Sequence, residues 1–186
     1  MNPARIIGAA RARPDAKNFV EGRGCYLDDV KVGGLLHAAF LRSPHASARI
    51  VSIDTQAAAR LLGVVRVVTA ADLAPVCRGW ETSQTYPGLA LRLQVALADA
   101  QVLYVGQPVV AVVAETRAIA EDAVELIEIE WDPRPGACEL DRSLAADSPK
   151  AHADLATNSA YRSTVGDPPD ASVFERAAVV VDETFR

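Results

Sequence analysis

Tyr104-Val105-Gly106-Gln107-Pro108-Val109-Val110-Ala111-Val112-Val113-Ala114-Glu115-Thr116 is the stretch on which the reading of the fold turns. Val109–Ala114 is uninterrupted and apolar, and it ends at Glu115, far short of the ~20 apolar residues of a membrane helix. It reads as a buried strand. Gly106-Gln107-Pro108 marks a turn, with the glycine able to take positive φ. With Val102–Val105 as a strand before the turn, the spacing predicts a tight β-hairpin. Gly106→Val is then expected to destabilise strongly, and Gln107→Ala to change little. Thr116 can cap a helix whose apolar face is Ile119, Ala120, Ala123, Val124 and Ile127. Glu121, Asp122 and Glu125 fall on its solvated side. The period then becomes two, with Ile127, Ile129 and Trp131 alternating with Glu128 and Glu130. That half-buried strand stops at Asp132-Pro133-Arg134-Pro135-Gly136.

Upstream the same order occurs once more. Arg49–Ile53 is a strand, Asp54-Thr55 a helix start, and Ala57, Ala58, Leu61 and Leu62 one helical face. Gly63 ends the helix and Val64–Thr69 returns as a strand, the shape of a βαβ unit. Leu35–Leu41, apolar on both faces, suits a buried strand, broken by Arg42-Ser43-Pro44-His45. The fold class is therefore α/β (α+β): two strand–helix–strand units and a β-hairpin, with extended terminal segments. Residues 71–101 are irregular, a loop or flap with a strand around Leu89–Val95. Residues 1–18 form an arm. Residues 137–170 are linker-like, with a helical turn near Asp141–Ala146. Asp170 caps a short helix over Ala171–Ala177, and Val179–Phe185 is β-prone.

With 186 residues, 50% hydrophobic and 23% charged, the chain is long enough for one domain that needs no disulfide staples. A net charge of −5 without a Lys/Arg block argues against nucleic-acid binding. The opening residues carry no signal-peptide core, so a cytoplasmic location is expected. Cys25, Cys77 and Cys138 are widely spaced with no C-x-x-C pair, and read as three thiols. His37 reads as a core histidine and His45 as a hydrogen-bonded turn histidine; His152 is the third. None forms H-E-x-x-H. G-x-S-x-G is absent, Gly22-x-Gly24 lacks the third Rossmann glycine, and there is no P-loop. The residues describe an α/β domain without a self-contained active site.

Gly22-Arg23-Gly24-Cys25-Tyr26-Leu27-Asp28-Asp29 and Leu35-Leu36-His37-Ala38-Ala39-Phe40-Leu41-Arg42-Ser43-Pro44-His45-Ala46 resemble the opening of molybdenum hydroxylase large subunits. That family comprises xanthine dehydrogenase, aldehyde oxidase and aerobic-type carbon monoxide dehydrogenase. Ala48–Asp54, Gly63-Val64-Val65, Thr69-Ala70-Ala71-Asp72-Leu73 and Tyr104–Thr116 continue the likeness. The resemblance implies the N-terminal α/β hammerhead domain over residues 19–136, and the carbon monoxide dehydrogenase-like branch is nearest. Residues 137–186 would be a linker and the start, cut short, of the molybdopterin-binding region. The family's molybdenum-site motifs are glycine-rich, glutamine-bearing and acidic, and none occurs here. No catalytic, cofactor-binding or metal residue is therefore assigned, and the isolated chain is expected to be inactive, without molybdenum or cluster. By resemblance, molybdopterin belongs to the parent subunit, and iron–sulfur and FAD to partner subunits. A second reading is a freestanding, non-catalytic interaction module that keeps the fold. Exposed apolar residues, Trp80, Tyr86, Leu89 and the Val179–Phe185 run, lead to an expectation of self-association or of docking by the tail.

Overall fold

A computed structural model of the chain describes residues 8, 10, 12–80, 86–90, 93–166, 171–183 and 185. Strands β1 (His37–Arg42), β2 (Ala48–Asp54), β3 (Val64–Val68), β4 (Gln101–Val102), β5 (Pro108–Ala114) and β6 (Glu128–Pro133) form two antiparallel sheets. The sheet orders are β1-β5-β3 and β4-β2-β6. The helices are α1 (Ala16–Val20), α2 (Gln56–Arg60), α3 (Ala70–Leu73), α4 (Arg117–Glu125), α5 (Leu140–Ser143) and α6 (Ala171–Glu175).

The strand–helix–strand order occurs twice as expected, in β2-α2-β3 and β5-α4-β6. The parallel βαβ reading is corrected, because each unit starts in one sheet and ends in the other. The expected hairpin is corrected on the same ground. β4 pairs with β2 and β5 with β1 and β3, so the turn between them crosses from sheet to sheet. A turn motif specifies a local reversal and says nothing about which strand completes the ladder.

α4 is introduced by Thr116, whose hydroxyl oxygen accepts the Ile119 N–H at 3.2 Å. It lays Ala120 and Ala123 onto β1 and β5, with Ile127 buried just beyond its end. α2 is weaker. Among the residues read as its face only Ala58 is buried, and Leu62 is 92% exposed because the helix ends at Arg60. Gly63 turns the chain at φ 89°, and its carbonyl accepts the Glu115 N–H.

One cluster of buried residues draws on both sheets: Ala48, Ala98 and Val102 join Val109, Val110, Val112, Ala123 and Ile127. Its largest fully buried side chains are valines, so the core is thin and depends on close backbone approach. β6 alternates as expected, with Ile129 and Trp131 turned toward this cluster. β1 does not match the expectation of burial on both faces; its pattern alternates, leaving Phe40 45% exposed.

The described end of the arm leads into α1 and packs on the segment that follows. Arg13 lies over the Phe19 ring, Phe19 meets Tyr26 at 5.4 Å, and Asp28 pairs with Arg117 of α4. In the flap, Trp80 and Gln94 form an isolated bridge, and no strand forms over Leu89–Val95 among the described residues. The expected helical turn near Asp141 is α5, and α6 matches the short helix near 171; its expected cap, Asp170, lies outside the described residues. Val179–Glu183 is not a strand. Its valines are exposed and no sheet edge receives them, which also corrects the expectation that the tail docks on its own sheet.

Candidate functional site

Polar chemistry concentrates where the chain enters β5. Ser43 and Gln107 are the buried polar residues among those described, and they sit on facing loops. The Ser43 N–H donates to the Gln107 carbonyl at 2.9 Å, and the Gly106 N–H donates to the Ser43 carbonyl at 2.8 Å. Arg42 Nη1 donates to the Gly106 carbonyl at 2.9 Å. The Gln107 side chain turns back, and its Oε1 accepts the Leu103 N–H at 2.7 Å. Gly106 has φ 86°, as the turn reading required. Only a residue without Cβ takes that conformation freely.

Across the cluster, the Ser43 hydroxyl donates to the His45 carbonyl and accepts the His45 N–H, closing the corner that Pro44 begins. The His45 ring meets Trp131 edge-on at 5.4 Å. The Arg134 N–H donates to the Ser47 carbonyl. The two loops, residues 42–47 and 103–107, and the end of β6 are thus held as one unit, a clamp in which bonds to backbone do most of the holding. Gln107 was expected to be replaceable. Its burial and its bond to Leu103 correct that, and the signal available was a lone amide placed between a turn glycine and an apolar run.

Beside the clamp lies a recess of about 280 Å³ lined by Tyr104, Val105, Cys138 and Lys150 among others. Lys150 Nζ donates to the Ala146 carbonyl at 3.5 Å. Cys25, Cys77 and Cys138 are exposed free thiols. His37 is half-buried in β1, and His152 is half-buried in the segment after β6. Glu121, Asp122 and Glu125 are exposed, a solvated helix face. Among the described residues no three His, Cys, Asp or Glu side chains gather to hold a metal ion.

No buried side-chain polar atom among them lacks a partner. Two carboxylates are held below their usual range. Asp72 is lowered by hydrogen bonds from the backbone and hydroxyl of Thr69 and by Arg66, and Asp15 by its bonds from Arg13. Both are surface features of local turns. The arrangement can position chain segments.

The model of the aldehyde oxidase and xanthine dehydrogenase α/β hammerhead domain matches residues 21–135, which include the clamp and both sheets. The chain belongs to this family. Within it, the chain is 37% identical to the carbon monoxide dehydrogenase large chain of Afipia carboxidovorans, over 96% of this chain and 23% of the relative. It is 46% identical to the nicotine 6-hydroxylase large subunit of Paenarthrobacter nicotinovorans, over 68% of this chain and 16% of that one. Among solved structures, quinoline 2-oxidoreductase from Pseudomonas putida 86 superposes on 94% of this chain and 22% of its own, with a TM-score of 0.84 at 37% identity. The hammerhead chain therefore spans about a fifth of the length of these relatives. It corresponds to a part of a large subunit of the carbon monoxide dehydrogenase and xanthine dehydrogenase type. No helix among the described residues is long and apolar enough to cross a membrane.

Proposed function

We propose that this chain is the structural hammerhead portion of the molybdopterin-binding large subunit of a carbon monoxide dehydrogenase-like molybdenum hydroxylase, acting in the cytoplasm. Residues 19–136 are the domain. Residues 137–186 carry the chain toward the molybdopterin-binding region. The parent enzyme oxidises or hydroxylates a small carbon substrate, with water as oxygen source and electrons leaving through iron–sulfur clusters. Its molybdopterin is held by the rest of the large subunit, and iron–sulfur and FAD by partner subunits. The observation that carries this reading is a 37% identity to a carbon monoxide dehydrogenase large chain that runs across 96% of this chain. The domain's own work is packing, which agrees with a clamp built from bonds to backbone.

The test is metal and flavin analysis of two preparations. One is the chain alone. The other is the chain expressed together with the coding sequence that follows it in its genome and the neighbouring subunits. The reading expects molybdenum, iron and FAD in a co-purifying assembly and none in the chain alone. Stoichiometric molybdenum in the isolated chain would overturn it. So would a downstream sequence without a molybdopterin-binding region, an outcome that favours the freestanding interaction module.

A further inference from the structure

The segment after β6 has the composition of a linker, yet it makes specific bonds. Asn158 is its centre. One Nδ2 hydrogen is donated to the Ser143 carbonyl at 2.8 Å and the other to the Pro149 carbonyl at 2.8 Å. Its Oδ1 accepts the Ala151 N–H at 2.8 Å. A single amide thus uses both donors and an acceptor on three backbone points of one loop. The loop between them is built from turns: Ala145 N–H to the Arg142 carbonyl, Ser148 N–H to that of Ala145, and Leu155 N–H to that of His152. A compact surface loop whose ends meet, closed by one of its own side chains, is an Ω-loop.

Both ends of this segment meet the domain. On the near side, the Arg134 N–H just before it donates to the Ser47 carbonyl at 2.9 Å, and Gly136–Cys138 line one recess with Ala46 and Tyr104. On the far side, the Ala160 carbonyl accepts the Ala90 N–H at 2.9 Å, and the Tyr161 ring lies 5.1 Å from Tyr86. Ala90 and Tyr86 belong to the flap, in which the Trp80–Gln94 bridge joins two of its own residues.

We propose that residues 137–161 are a strap locked by Asn158, a conformational device that fastens the flap at residues 86–90 to the clamp end of the domain. The flap's order depends on the strap, and the strap's order depends on one side-chain amide. This goes beyond the proposed function and does not rest on it, since every bond invoked joins residues of this chain.

Amide hydrogen exchange by NMR on the full 186-residue chain tests it. The wild-type amides of Ala145, Ala151 and Leu155 should exchange at least tenfold more slowly than those of the exposed run Val179–Val181. Asn158→Ala should erase that difference and should also accelerate the Ala90 amide, while Val110 and Val112 in β5 stay protected. Asn158→Asp, which keeps the acceptor for Ala151 and loses both donors, should release the loop as well. Tyr161→Ala should accelerate Ala90 and leave Ala151 protected. The proposal fails if the wild-type loop exchanges as fast as Val179–Val181, or if Asn158→Ala leaves Ala90 unchanged. It fails equally if Asn158→Ala releases Val110 and Val112 together with the loop, since the strap would then be no separate unit.

Discussion

β1 and β5 lie side by side, register-matched from His37 opposite Ala114 to Leu41 opposite Val110, and they meet different fates. In β5, Val109, Val110, Val112 and Ala114 are fully buried, and the consecutive pair Val109–Val110 shows that both faces are covered. In β1, burial alternates, and Phe40 stands 45% exposed with the Arg42 guanidinium 5.6 Å from its ring. Both runs are apolar. The difference is position: β5 has a strand on either side, and β1 has a free edge. Apolar content is enough to build a strand, and the number of neighbours decides how much of it leaves water. A charged residue at the end of an edge strand also discourages pairing with other chains.

The largest effect expected from this contrast is at the centre of β5. Val112→Ala removes two buried methyl groups and leaves a cavity in a thin core, a loss of about 2–3 kcal/mol read from urea midpoints. If Phe40→Ala in β1 cost as much, the contrast between central and edge strand would break.

The entry to β5 comes next. Gly106→Val should cost about 1–2 kcal/mol through its backbone alone, since the added Cβ meets nothing within 4 Å. Gln107→Ala should cost a similar ~1–2 kcal/mol by stranding the Leu103 N–H. Equal melting temperatures for wild type and Gln107→Ala would remove the clamp from the account of why β5 is held.

Phe40→Ala itself is expected to stay within about 1 kcal/mol, as a half-exposed ring on an edge. The smallest effect sits at the far end of the same sheet. Asp72 follows β3 and is held below the usual 3.8 by its bonds from Thr69 and by Arg66. Its contribution is present above pH ~3.8 and is lost as pH falls through the lower folded value. Wild type should therefore lose slightly more stability than Asp72→Asn on titration from pH 5 to 3, measured by thermal melts. Parallel curves would show that the cap adds nothing.

Periodicity exposed α4 and β6 cleanly, because Ala120, Ala123 and Ile127 repeat at helical spacing and Ile129 and Trp131 at strand spacing. The positive φ of Gly106 was legible for a local reason, the turn chemistry itself. Pairing was not legible. Gly-Gln-Pro between two valine-rich runs looks like a hairpin, and only the tertiary fold sends Val102 to β2 and Val109 to the other sheet. Asn158 was invisible for a related reason: its three partners are carbonyls and an N–H, groups every residue carries, so no pattern of side chains announces them. Ser43 was legible only as a break in a strand. Its role appears once the Gly106 loop is placed opposite it.

The odd-numbered strands make one sheet and the even-numbered strands the other, and this has a consequence for the order of events during synthesis. No strand pairs with its neighbour in sequence. β2 must wait until Gln101 exists before it gains any partner, and β1 must wait for Pro108–Ala114. β3 waits for the same β5, and the second sheet is incomplete until Glu128–Pro133 has been made. Until β5 has been made the chain therefore carries apolar strands with nothing to pair, and every ladder closes a long loop at an entropic cost. Such a topology belongs with the slower-folding, high-contact-order proteins. Folding in one late, cooperative step follows from it, with the arrival of β5 as the event that lets the first sheet close.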